Sequence, residues 1–199
     1  MLASVKTEEP GTVPAARWGG RLERMAPRLP LAQAVVVILG STGAAVAYGL
    51  VHDQITIRVC PEYFTVTHPR ITESRSLTVI ALAWGVAATW WVGAALGLLL
   101  AVAARMGSEP RVPAGALARP VMTLLTACGA LALCAGLAGY LLARGGAIAL
   151  TGELAANIPE AMHARWMGAW WTHMASYGVG GVGGLVLVGW VLRARWRLR

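Results

Sequence analysis

The chain has 199 residues, of which 57% are hydrophobic and only 13% charged, with a formal net charge of +8 and a mean hydropathy of +0.60. Soluble domains carry about 25% charged residues, so a water-solvated globular domain is excluded. The basic surplus does not mark a nucleic-acid partner either, because it gathers at the ends of apolar runs, where it sets membrane orientation.

Residues 1–28 are polar and rich in Pro, Gly and Arg. They read as a cytoplasmic tail, disordered or lying on the inner membrane surface. Residues 29–199 read as one membrane domain, with spans near 29–51, 74–105, 119–143 and 166–193. Each run reaches the roughly 20 helical residues that a hydrocarbon core about 30 Å thick requires. The first run continues into Val51-His52-Asp53-Gln54 with no small-residue cleavage site. It is therefore expected to be a retained span rather than a signal peptide.

After the first span, Ile55-Thr56-Ile57-Arg58-Val59 alternates apolar and polar residues. Cys60-Pro61 interrupts, and Tyr63-Phe64-Thr65-Val66-Thr67 is again β-prone. This pattern predicts two short strands in a hairpin-like cap packed on the bundle, ended by His68-Pro69. The second span carries Trp84, Trp90 and Trp91 and a Gly93-x-x-x-Gly97 packing signature. The link after it holds Pro110, Pro113 and Gly115 and predicts an irregular loop.

The third span is expected to start near Arg119-Pro120 and to stop at Arg144-Gly145-Gly146. Asn157-Ile158-Pro159-Glu160 then has the residues of a helix start, with Asn157 as cap. Trp166, Trp170 and Trp171 match an aromatic belt. The fourth span is dense in glycine (Gly178, Gly180, Gly181, Gly183, Gly184, Gly189), which predicts tight packing against a neighbour.

Lys6, Arg17, Arg21, Arg24 and Arg28 precede the first span. Arg105, Arg111 and Arg119 join the second to the third, and Arg193, Arg195, Arg197 and Arg199 close the fourth. These are most of the 17 basic residues, and they place both termini in the cytoplasm. The expected location is the plasma (inner) membrane, with the basic groups touching anionic lipid. The expected fold is all-α: a four-helix transmembrane bundle with a small extracytoplasmic cap, made of the hairpin-like loop and a short helix.

The chemistry-bearing residues collect on the other side. His52, Asp53, Glu62 and His68 lie in the first outer segment, and Glu160, His163 and His173 in or beside the second. All are types that bind first-row metals or move protons. Glu160 and His163 share a helix face at i, i+3, although di-iron carboxylate bundles use two such pairs. His163 and His173 lie about 280° apart on a continuous helix, so they can share an ion only if the helix breaks near Gly168.

The candidate ligands are thus His52, His68, His163 and His173, with Glu62 and Glu160 as carboxylates and Asp53 orienting an imidazole. Zinc, copper or iron suits such donors. Haem b ranks below them, because only His52 and His173 approach the spans. Cys60, Cys128 and Cys134 form no redox motif, and the last two point about 240° apart on one helix.

Three functions fit this pattern. The leading one is an outward-facing His/Glu-rich site for metal handling or oxidative chemistry. The alternative is a non-catalytic structural or accessory subunit of a larger membrane complex, or a homo-oligomer, held by its glycine-rich faces. The third is an enzyme acting on lipid with His163 or His173 as base. No nucleophile elbow or phosphate-binding loop is present, so whether the chain is an enzyme stays open.

His52-Asp53-Gln54-Ile55-Thr56, Glu62-Tyr63-Phe64-Thr65 and His68-Pro69, with Thr89-Trp90-Trp91 and the His173, Ser176, Tyr177 set, resemble a signature of small bacterial four-span membrane proteins of uncharacterised function. The similarity covers about residues 30 to 192. It implies the same architecture and carries no activity with it.

Overall fold

The computed structural model describes residues 30–107 and 110–197; the expected cytoplasmic tail lies outside them. The chain folds into α1 (Pro30–Val59), α2 (Pro61–Thr65), α3 (Leu77–Arg105), α4 (Ala114–Arg144), α5 (Gly152–Asn157), a 3₁₀ turn (Glu160–Met162) and α6 (His163–Trp196). α1, α3, α4 and α6 are long and apolar enough to cross a bilayer. The protein is an all-α, multi-pass membrane bundle.

Its surface fits a lipid solvent. Val182, Leu185 and Val186 are each 66% exposed, which water would penalise and lipid does not. Small residues occupy the interior. α1 packs closely along α3, and α4 along α6, while the two helical hairpins approach each other less closely and share side-chain cores drawn from both. The α1–α3 seam is built on Gly49, Gly85, Gly93 and Gly97. A Cβ on Gly85 would lie 2.9 Å from the backbone of Gly49, and one on Gly93 would lie 2.8 Å from the Ser41 carbonyl oxygen.

The expected glycine packing of the fourth span is only partly realised. Gly168, Gly183 and Gly184 meet neighbouring helices, whereas a Cβ added at Gly178, Gly181 or Gly189 would meet nothing within 4 Å. Those three positions contribute no close helix approach.

The expected hairpin-like cap is absent: among the described residues there is no strand. Residues Ile55 to Val59 continue α1, and Tyr63-Phe64-Thr65 belongs to the short α2. The reason is visible in the burial. Asp53, Thr56, Ile57 and Cys60 are buried, at spacings of a helical stripe. Extending an existing helix adds one hydrogen bond per residue fixed, whereas a lone hairpin must find its own support. Pro61 then stops α1, leaving Cys60 extended at φ −148° and ψ 93°.

Two further boundaries differ from the sequence expectation. α4 begins at Ala114 rather than near Arg119, because Gln33 Oε1 of α1 accepts from the Ala114 amide at 3.0 Å and caps the earlier turn. Pro120 therefore lies inside the helix. Asn157 does not cap a helix start. It ends α5 and donates from Nδ2 back to the Glu153 carbonyl at 2.9 Å. The glycine stop of α4 is as expected, with Gly146 in the left-handed region at φ 74°.

Candidate metal centre

α1 runs two turns beyond His52, and α6 starts ten residues before His173. Both histidines therefore lie within helix pairs rather than in loops. This overturns the outward-facing site. Asp53 is 5% exposed and His173 6%, and His52 is half-buried beside them. The three side chains can each offer one ligand atom, all within 4.8 Å of one another. The result is an interior His/Asp cluster able to coordinate a metal ion.

Its geometry is specific. His52 Nδ1 lies 3.0 Å from Asp53 Oδ1, and His173 Nε2 lies 3.4 Å from the same oxygen. Donors that share a tetrahedral ion through bonds of about 2.0–2.1 Å sit about 3.3 Å apart, so only small adjustments separate this cluster from a coordination shell. The two imidazoles meet edge to face with centroids 4.5 Å apart. That contact leaves no slab between them for a porphyrin.

Hydrogen bonds around the cluster decide what the ring nitrogens present. His173 Nδ1 donates to the Ala169 carbonyl at 2.8 Å, since a carbonyl only accepts. A neutral His173 ring therefore turns its Nε2 lone pair towards Asp53. A lone pair facing a carboxylate oxygen is repulsive, and a cation between them removes the repulsion. His52 Nε2 lies 3.3 Å from Ser176 Oγ, which lies 2.7 Å from the Tyr48 hydroxyl. Both hydroxyls can donate or accept, so His52 can offer its Nδ1 either as N–H or as lone pair. Partners of this kind, behind each ligating histidine, orient metal ligands.

A buried aromatic lid covers the cluster. The Tyr63 ring of α2 stacks on His173 with centroids 4.4 Å apart. Burial pushes the Tyr63 hydroxyl above its ordinary range, helped by nearby Tyr177 and Asp53, so it stays a neutral phenol. Burial also pushes the Cys60 thiol up to about 11. At neutral pH it is protonated and donates to Glu62 Oε2 at 3.5 Å, and a thiol is no metal ligand without losing its proton.

The remaining candidates have other partners. His68 Nδ1 donates to the Tyr63 carbonyl at 2.7 Å, and its ring meets the edge of Trp84. It stands one ring away from the cluster, behind Tyr63. His163 Nε2 donates to the carbonyls of Ile158 and Ala155 at 2.9 and 3.2 Å, tying α5 to the start of α6. α6 does not break at Gly168, which keeps His163 and His173 on different faces. Glu62 accepts from Cys60, and Glu160 is exposed at the 3₁₀ turn.

Tyr48, Ser176 and Tyr63 were not among the expected site residues. Spacing marks the first two: Tyr48 precedes His52 by four residues and Ser176 follows His173 by three, so each shares a helix face with a candidate ligand.

No protein-family model, curated protein or solved structure matches the chain. The resemblance to bacterial four-span proteins therefore rests on the residues quoted for it.

Proposed function

We propose that the protein is a small plasma-membrane metalloprotein whose centre is held inside the bundle by His52, Asp53 and His173. The observation that carries this reading is the alignment of two imidazoles on one buried carboxylate oxygen, with the second nitrogen of His173 committed to a carbonyl. Two nitrogens and one carboxylate suit Zn(II), Fe(II) or Cu(II). Three protein donors leave at least one position for water or substrate, the arrangement of catalytic rather than structural zinc sites. The positive-inside pattern favours the α2/α5 end outside the cell and both termini in the cytoplasm.

The test is elemental analysis of protein purified in mild detergent and loaded in turn with each ion. One equivalent per chain in the wild type, lost in His173→Ala and Asp53→Asn, supports the proposal. Protein that stays metal-free after loading, with an unchanged melting temperature, rejects it.

The same geometry favours one other reading. A proton on His173 Nε2 satisfies the carboxylate as a metal does, giving an imidazolium–carboxylate–imidazole triad that transfers protons. Elemental analysis separates the two readings, because only the first binds a stoichiometric ion.

A further inference from the structure

A groove of about 460 Å³ opens on the side of the bundle between α1, α4 and α6. Its floor includes Thr56 and Ala169, both buried. Thr56 is one turn beyond His52 and Asp53, and Ala169 is one turn before His173. The groove therefore ends about 5.4 Å along the helix axes from the candidate centre. One wall is formed by Leu133 and Leu137, each 60% exposed to the bilayer.

The rim is cationic. Arg58 and Arg165 line it, and no carboxylate does. Arg58 spends Nη1 on the Gln54 carbonyl and side-chain oxygens and Nη2 on Thr78 Oγ1. A guanidinium has five N–H donors, so two remain. Arg165 is exposed and has no hydrogen bond or ion pair among the described residues. Unspent guanidinium donors above an apolar slot, at the ends of membrane spans, match one amphiphile in particular.

We propose that the groove binds one phospholipid with a net anionic headgroup, its phosphodiester on Arg58 and Arg165 and an acyl chain along Leu133 and Leu137. Guanidinium groups engage phosphate through paired hydrogen bonds. A soluble anion has nothing to cover the leucine wall. A zwitterionic lipid brings a cation for which the groove holds no acid. The proposal does not depend on the metal centre.

The experiment is native mass spectrometry of the full chain, released from nanodiscs of phosphatidylglycerol and phosphatidylcholine with matched acyl chains. The wild type is expected to retain phosphatidylglycerol about thirtyfold better, the scale set by two arginines at about 1 kcal/mol each. The doubly substituted R58Q/R165Q chain is expected to hold one phosphatidylglycerol fewer, with its helical circular dichroism intact. Leu137→Trp, which keeps both arginines and fills the slot, is expected to lose the same lipid. Equal retention of the two lipids, or unchanged retention by R58Q/R165Q and Leu137→Trp, overturns the proposal.

Discussion

His173 Nδ1 lies 2.8 Å from the carbonyl oxygen of Ala169, one turn earlier on the same helix. This bond fixes the tautomer of the neutral ring and aims the other nitrogen at Asp53, 3.4 Å away. Asp53→Asn keeps the shape and removes the charge between the imidazoles. With the carboxylate gone, the metal equivalent and the rise in melting temperature on metal loading are both expected to be lost. Thermal melting and elemental analysis on the same sample check both effects.

Ser176 touches His52 without being a candidate ligand. Removing a group that orients a metal-bound histidine costs about 10–100-fold in affinity. Ser176→Ala is therefore expected to weaken metal retention by at least about tenfold in a chelator competition, while the metal-free melting temperature barely moves. Equal chelator sensitivity of variant and wild type would show that the Tyr48–Ser176 pair does not support His52.

The α1–α3 seam gives a stability prediction with an internal control. A methyl group on Gly85 has no room against Gly49, whereas one on Gly43 meets nothing within 4 Å. Overpacking costs about 1–3 kcal/mol. Gly85→Ala should lower the melting temperature in detergent, and Gly43→Ala should leave it unchanged or raise it through better helix propensity.

Cys60 supplies a pH prediction. Its folded thiol titrates near 11, against about 8.5 for an ordinary cysteine. Below about 8.5 both folded and unfolded chains keep the proton, and pH has no effect through this group. Between that value and 11 only the unfolded chain loses it, so stability falls as pH rises through this window. Native protein should resist alkylation at Cys60 at pH 8 and react on denaturation, as followed by mass spectrometry.

At the other end of the bundle, Arg195 is 2% exposed and donates to the carbonyls of Pro110, Ala103 and Met106. It ties α6 to the end of α3. Arg195→Met leaves the buried Ala103 carbonyl without its charged donor and is expected to cost about 1–3 kcal/mol. Arg195→Lys should recover only part of that loss, because an ammonium lacks the planar fork. Melting temperatures of the two variants rank them.

The four spans were legible because mean hydropathy and charge vary over windows as long as a helix, and lipid leaves helices as the open-chain solution. The α1 extension was not. Ile55, Thr56, Ile57 and Val59 mimic strand alternation, and the true signal, the buried stripe Asp53, Thr56, Ile57, Cys60, shows only when the preceding helix is carried through. That error also misplaced the site. With α1 ended at Val51, His52 and Asp53 fall in an exposed loop. With it ended at Val59, they fall between helices. The types of ligand were legible. Which of them meet was not, because His173 reaches His52 across 121 positions of chain, a pairing that helix periodicity alone cannot specify.

Because the two glycine-seamed hairpins approach each other less closely than the helices within each, a metal held by His52, Asp53 and His173 would act as a clasp across their junction. Neither hairpin contains a complete set of donors: His52 and Asp53 lie on α1, and His173 lies on α6. On the proposed function, ion capture would wait until α6 brings His173 beside His52 and Asp53. A chain halted before Thr151 lacks His173 and is expected not to load.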